Sequence, residues 1–232
     1  METLQTSNFP KLPELISRLS QDTGISLDQT ARQNLLFYFT ELYNWNRVTN
    51  LTGIKDPEAL VLKHLGDTLL LLGNIPQNTR TVLDIGTGAG IPGLLMKLIR
   101  PGLYMVLAEA VKKKCSFLYF IMARLGLSNI FITNRLITPQ NPPEFMPENG
   151  FDIIVSQAAG SVKWFVETGL DFLAPKGSMF LLKGPSGEQE LEDHAGFLNQ
   201  RGLYPCVQRK LLPLTGHRRL ILELKRKPAG DG

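Results

Sequence analysis

Val82-Leu83-Asp84-Ile85-Gly86-Thr87-Gly88-Ala89-Gly90-Ile91-Pro92-Gly93 is the stretch on which the fold turns. A short apolar run ends in glycines at alternating positions. Glycine lets the backbone turn sharply off a strand and come close to a ligand, and a helix starting near Pro92 aims its unpaired amides at the same place. The stretch reads as a ligand loop between a strand and a helix.

Outward from this loop, towards the C-terminus, short apolar runs alternate with helical stretches. The strand candidates are Thr81–Ile85, Tyr104–Ala108, Ile130–Thr133, Asp152–Ser156, Ser178–Lys183, Pro205–Arg209 and Leu220–Leu224. Helix candidates Gly93–Ile99, Lys112–Leu125, Val162–Leu173 and Glu188–Arg201 lie between the first six. Such alternation predicts parallel βαβ units in a doubly wound α/β sheet, seven-stranded and mostly parallel. No helix separates the last two strands, so the sheet should end in an antiparallel pair. The Pro- and Asn-rich stretch from Pro139 to Gly150 reads as a solvent-exposed excursion.

Towards the N-terminus the texture is helical from about Leu12 to Leu72. Leu35, Leu36, Phe39, Leu42 and Tyr43, then Leu60, Leu62, Leu65 and Leu69, recur at helical spacing. Ser26 followed by Asp28, and Asp56-Pro57-Glu58, supply start signals. Residues 1–76 are expected to form an N-terminal helical extension, and residues 77–232 a ligand-binding unit packed with it.

The composition is that of an ordinary globular chain: 232 residues, 43% hydrophobic, 20% charged, net charge +4. The charge permits a nucleic-acid substrate without requiring one. No window is apolar enough for a membrane span, and Met1 to Lys11 lacks the pattern of a secretory signal, so the expected location is the cytoplasm. Cys115 and Cys206 form neither a disulfide framework nor a zinc spacing, and no metal is expected.

Gly88-x-Gly90-x-x-Gly93 also satisfies the dinucleotide fingerprint, so the glycines alone leave a nicotinamide enzyme open. Asp84 argues against pyrophosphate, which it would repel, and for S-adenosylmethionine, whose cationic end an acid can orient through water or a backbone amide. Glu109, about one βα unit later, is placed to accept both ribose hydroxyls. At the tip of the fourth strand, Ser156-Gln157-Ala158-Ala159-Gly160-Ser161 lacks the Asn-Pro-Pro-aromatic motif for an exocyclic amine and the Pro-Cys of cytosine C5 chemistry. Pro205-Cys206 and Asn141-Pro142-Pro143-Glu144 fall elsewhere in the chain. What remains is in-line transfer to an atom that is already nucleophilic; guanine N7, which carries no proton, is one such atom.

The chain resembles the bacterial small-subunit rRNA guanine-N7 methyltransferases, the RsmG (GidB) family. The resemblance is carried by Trp45-Asn46-Arg47-Val48-Thr49-Asn50-Leu51-Thr52-Gly53-Ile54-Lys55-Asp56-Pro57, by Lys63-His64-Leu65-Gly66-Asp67-Thr68, by the glycine loop, and by Leu182-Lys183-Gly184. It implies a Rossmann-like class I methyltransferase fold, S-adenosylmethionine as cofactor and 16S rRNA or the small ribosomal subunit as partner; no long exposed apolar stripe argues for an obligate dimer, so a monomer is expected. Cofactor contacts would come from Asp84, Gly86, Thr87, Gly88, Gly90, Pro92, Gly93, Glu109, Arg135 and Leu136. Lys183, Arg218 and Gln157 are the catalytic candidates, and Lys113, Lys114 and His64 the RNA-binding ones. Two departures stand out: Gln157 where the family usually has Arg, and Leu136-Ile137 where it usually has a residue followed by Glu. These keep two alternatives open, a methyltransferase acting on another RNA or a small molecule, and a cofactor-binding assembly factor with little turnover.

Overall fold

The computed structural model describes residues 9–157 and 160–227. Ala158 and Ala159, within the fourth-strand tip singled out above, lie outside them. The N-terminal part contains α1 (Leu12–Thr23), α2 (Gln29–Thr49), α3 (Pro57–Leu60), one π-helical turn (Val61–Leu65) and α4 (Gly66–Leu72). Asp28 starts α2 by accepting the Ala31 N–H at 2.7 Å, and Asp56 starts α3 by accepting the Ala59 N–H at 2.6 Å. Each side chain satisfies an amide that the first turn of a helix leaves open.

The remainder alternates as β1 (Thr81–Ile85), α5 (Gly93–Ile99), β2 (Tyr104–Ala108), α6 (Lys112–Arg124), β3 (Ile130–Thr133), β4 (Phe151–Gln157), α7 (Val162–Gly169), β5 (Leu173–Lys183), α8 (Gly187–Asp193), α9 (Ala195–Gln200), β6 (Leu203–Leu211) and β7 (Arg218–Arg226). The seven strands form one sheet in the order β3-β2-β1-β4-β5-β7-β6. β1 to β5 are mutually parallel, and β7 runs antiparallel to both β5 and β6.

Several elements differ from expectation. The helix expected over Glu188–Arg201 is two short helices broken at His194, and the one expected to Leu173 ends at Gly169, followed by a 3₁₀ turn at Leu170–Phe172. Strands β5, β6 and β7 run longer than their apolar runs, because ladder bonds to neighbours carry polar residues such as Gln208 and Arg219 along with them.

Period-two alternation divides the core. Val82, Met105, Leu107, Ile153, Val155, Phe180 and Leu182 face α5, α6 and the N-terminal helices, whereas Leu83, Ile85, Val106, Ile154, Met179 and Leu181 face α7 and α9. The first cluster joins Ile16, Leu35, Tyr38, Leu42 and Leu69 of the N-terminal helices to the sheet in one continuous core. That packing brings α2 against the glycine loop, where the Tyr38 hydroxyl donates to the Ala89 carbonyl at 2.8 Å.

After β3 the chain returns to the other side of β1 to form β4, which makes the carboxyl edge between β1 and β4 the topological switch point. Open α/β sheets bind ligands at such an edge. Among the described residues, no helix is long and apolar enough to cross a membrane.

Candidate functional site

Two cavities open at the switch point and share Gly86. The smaller, about 140 Å³, is bounded by Ile85, Ala108, Ile137, Leu136 and Trp164, with Glu109 and Arg135 at its edge. The larger, about 520 Å³, has a mixed lining: Gly86 to Ala89 and Ile91 from the loop, Leu51, Thr52, Lys63, His64 and Asp67 from the helical part, and Lys114, Gln157, Lys183 and Arg219.

The glycine loop is held from behind. Gly86 and Gly88 take φ of 72° and 62°, the left-handed region that side chains disfavour. Asp84 is fully buried, and its Oδ2 accepts the Thr87 hydroxyl at 2.6 Å and the Gly93 amide at 2.8 Å. Burial pushes its carboxyl up to about 7, against the pull of those two donors, with the nearby Glu109 charge adding to the rise. Asp84 lines neither cavity; it caps α5 and shapes the loop from behind. Gly90, Pro92 and Gly93 are likewise packed inwards, and a Cβ on Gly93 would lie 2.6 Å from Leu107 and 2.7 Å from the Asp84 oxygen. Thr87 is 1% exposed, with its hydroxyl spent on Asp84.

Glu109 occupies the end of β2. One carboxylate oxygen accepts the Gly88 amide at 3.0 Å and the other accepts Val111 N–H at 2.8 Å, while Lys114 stands 3.7 Å away. A carboxylate has about four lone-pair sites, so two remain for hydroxyl donors. Arg135 pairs with Glu144 at 3.1 Å and donates to the Pro142 carbonyl, which closes the outer wall of the smaller cavity, where Leu136 is exposed. The apolar walls, the carboxylate at the edge and the side-chain-free Gly86 and Gly88 could together hold a nucleoside, with its ribose at Glu109 and its tail in the larger cavity. Lys114, at the junction, is placed to meet a carboxylate on that tail.

In the larger cavity the centre is Asp67, 1% exposed. Its Oδ1 accepts Arg219 Nε at 2.6 Å and its Oδ2 accepts Gln157 Nε2 at 2.7 Å. Burial pushes the carboxyl up, and Arg219 opposes that push most strongly. Gly66 eases the arrangement: a Cβ there would meet the end of the Leu212 side chain at 2.8 Å, so the glycine lets this helix lie close to the β6–β7 turn without displacing that leucine. On the opposite wall, Asn46 clamps the following loop, donating to the Ile54 carbonyl and accepting the Thr52 amide, and thereby sets Leu51 and Thr52 at the cavity. Trp45 packs on Phe117 and Phe120 rather than facing the opening.

The sequence-derived candidates separate into those the fold gathers and those it does not. Gln157, Lys183, Lys114 and His64 line the larger cavity. Lys183 donates to the Gly160 carbonyl and pairs with Glu190 at 3.0 Å. His64 is buried, 3.5 Å from the Thr52 hydroxyl, and burial beside Lys63 lowers its pKa to about 3. It is neutral at physiological pH and offers no cation to a phosphate. Lys113 is exposed on α6 and borders none of these cavities. Arg218 is exposed and lines a separate groove of about 330 Å³ with Arg209, Lys210 and Glu188. Alternation along β7 turns Arg219, not Arg218, into the larger cavity.

Asp67, Arg219 and Lys63 are not among the sequence-derived candidates. An acid inside the apolar run from Leu65 to Leu72 is a signal that could have found Asp67, since a buried carboxylate needs a partner. Arg219 had no such signal, because the choice between two adjacent arginines depends on strand register.

Comparison with known proteins agrees with this architecture. The profile of a family described as rRNA small subunit methyltransferase G (GidB) matches residues 31–204. A ribosomal RNA small subunit methyltransferase G from Syntrophotalea carbinolica is 32% identical over 219 residues, covering 94% of this chain and 98% of that protein. The protein of the same name from Burkholderia multivorans is 33% identical over 183 residues, 77% of this chain and 80% of the relative. Among solved structures, an O-methyltransferase from Bacillus cereus in complex with SAH superposes with a TM-score of 0.55 at 17% identity, covering 89% of this chain and 95% of that one. A SAM-dependent methyltransferase from Aquifex aeolicus gives 0.52 at 20% identity over 76% of this chain and 97% of that one. The chain belongs to the rRNA small subunit methyltransferase G family.

Proposed function

We propose that this member of the rRNA small subunit methyltransferase G family transfers a methyl group from S-adenosylmethionine to N7 of a guanine in 16S rRNA. The observation that carries the reading is the pair of cavities meeting at Gly86, a small apolar one that suits a nucleoside and a larger one of mixed lining whose charged and polar side chains suit a nucleobase. Bound S-adenosylmethionine supplies the electrophilic methyl group. Gly86, Gly88 and Glu109 would hold the cofactor, Leu136, Ile137 and Trp164 would enclose its base, and Lys114 would meet its carboxylate.

The substrate side favours an acceptor that needs no proton removed. Of the groups at the larger cavity able to act as a base, Asp67 is engaged by Arg219 and Gln157, and His64 is a weak proton acceptor with its pKa lowered to about 3. Guanine N7 has a lone pair and no hydrogen. The contribution left to the protein is orientation, which supplies on the order of 7–11 kcal/mol in well-aligned reactions. Lys63, exposed at the larger cavity, and Lys183, held in its wall by Glu190, would set phosphates near the base, and Arg218 and Lys210 in the neighbouring groove would hold the flanking backbone.

In this reading the helical residues up to 76 form a cap that supplies the substrate wall, and those from 77 onward carry the cofactor, in a monomer acting in the cytoplasm. The test is to incubate the protein with labelled S-adenosylmethionine and unmodified small-subunit RNA, naked or assembled, and to map the product. N7-methylguanine at one position is the expected result. Tight cofactor binding with no transfer to a guanine N7 would overturn the proposal.

A further inference from the structure

Asp67 leaves its two partners with unequal and complementary valences. A carboxylate only accepts, so the amide of Gln157 must turn Nε2 towards Asp67 Oδ2, 2.7 Å away, and its Oε1 must point elsewhere. That oxygen is buried and meets no donor among the described residues. Buried acceptors are seldom left in this state without a reason. Arg219 is fixed from the other side: Nε is spent on Asp67 Oδ1 and Nη1 on the Arg218 carbonyl, and among the described residues nothing meets Nη2. Both side chains line the larger cavity. The result is one buried, unpaired acceptor and one cation with an unspent donor, both positioned by a single buried carboxylate.

Purine edges carry complementary patterns. Guanine presents O6, an acceptor, beside N1–H, a donor; adenine presents N6–H₂, a donor, beside N1, an acceptor. We infer that Gln157 and Arg219 form the base-reading pair of this enzyme, with Arg219 donating to guanine O6, Gln157 Oε1 accepting N1–H, and Asp67 serving as the positioning residue that locks both. The inference rests on the guanine N7 reading given above and names how that site selects its base. Adenine would set donor against donor at Arg219 and acceptor against acceptor at Gln157. O6 neighbours N7 on the purine, so a base held by this edge still leaves N7 exposed to an approaching methyl group. Because O6 and N1–H are the groups used in Watson–Crick pairing, the target guanine must be unpaired when it enters, as in loops and splayed bases of structured RNA.

The test uses the full chain and small-subunit RNA carrying guanosine, inosine or 2-aminopurine at the mapped position. Inosine keeps O6, N1–H and N7; 2-aminopurine keeps N7 but lacks both O6 and N1–H. The wild-type enzyme is expected to use guanosine and inosine alike and to disfavour 2-aminopurine by about tenfold or more in kcat/KM, the discrimination of one good paired contact. Gln157→Ala and Arg219→Met should each bring the guanosine-to-2-aminopurine ratio towards one while still binding S-adenosylmethionine by calorimetry. Comparing the ratio between proteins cancels the intrinsic reactivity of the analogues. Should Arg219→Met fail to fold, Gln157→Ala alone carries the comparison. A ratio left unchanged in Gln157→Ala, with overall activity lowered or not, overturns the inference and leaves the guanine N7 reading standing. Absence of N7-methylguanine from the wild-type reaction overturns both.

Discussion

Replacing Asp84 by asparagine separates a loop-shaping acid from a ligand-touching one. In the native protein the carboxyl is fully buried, accepts two hydrogen bonds through Oδ2, leaves Oδ1 without a partner among the described residues, and is pushed up to about 7. Its ordinary value is 3.8. Between those two values the folded state holds a proton that the unfolded chain has released, so native stability must fall as pH rises from about 4 to about 7. The gap of roughly three units, at 1.36 kcal/mol each, makes the ionised carboxylate cost about 4 kcal/mol at pH 8. The asparagine of Asp84→Asn carries no charge, and its side-chain oxygen still accepts from one of the two donors. Urea unfolding of both proteins at pH 5 and pH 8 should show the variant gaining about 2–4 kcal/mol relative to wild type on going to the higher pH. Cofactor affinity should weaken only modestly, since Asp84 lines neither cavity. A stability difference that does not change with pH would refute this account of the buried acid. Loss of cofactor binding at every pH from a well-folded variant would show that Asp84 contacts the ligand.

Gly93→Ala should cost about 2–4 kcal/mol in urea unfolding and weaken cofactor binding, because the added carbon enters Leu107 and Asp84 and displaces the amide that Asp84 holds. Asp67→Ala strands Arg219 without its carboxylate and should destabilise the fold by about 3 kcal/mol by the same measurement, with methyl transfer lost beyond what that loss of stability explains. Lys210→Ala and Arg218→Ala should leave cofactor affinity unchanged by calorimetry, and each should reduce the slope of log binding constant against log salt for small-subunit RNA by about one.

Much of the candidate cofactor site is built from features legible in the amino-acid sequence. The glycines, the acid at Glu109 and the strand-helix alternation lie within local spacing, and each element follows from periodicity that a short window contains. The substrate side is less so. His64, placed among the RNA-binding candidates, is neutral and buried, and Lys113 points to solvent, because burial is a property of packing and not of residue type.

Sequence by itself determined the mostly parallel sheet, the helical N-terminal part and a loop able to approach a ligand, since hydrophobic period and glycine conformation act over a few residues. Tertiary structure alone decided that Asp84 braces the loop from inside, that Arg219 rather than Arg218 enters the cavity, and that Asp67 joins Gln157, 90 residues away, to Arg219, 152 residues away. These contacts depend on β7 lying between β5 and β6 and on Gly66 admitting a helix against the β6–β7 turn. Strand order and close approach between distant segments are set by the whole core, and no local stretch of chain encodes them.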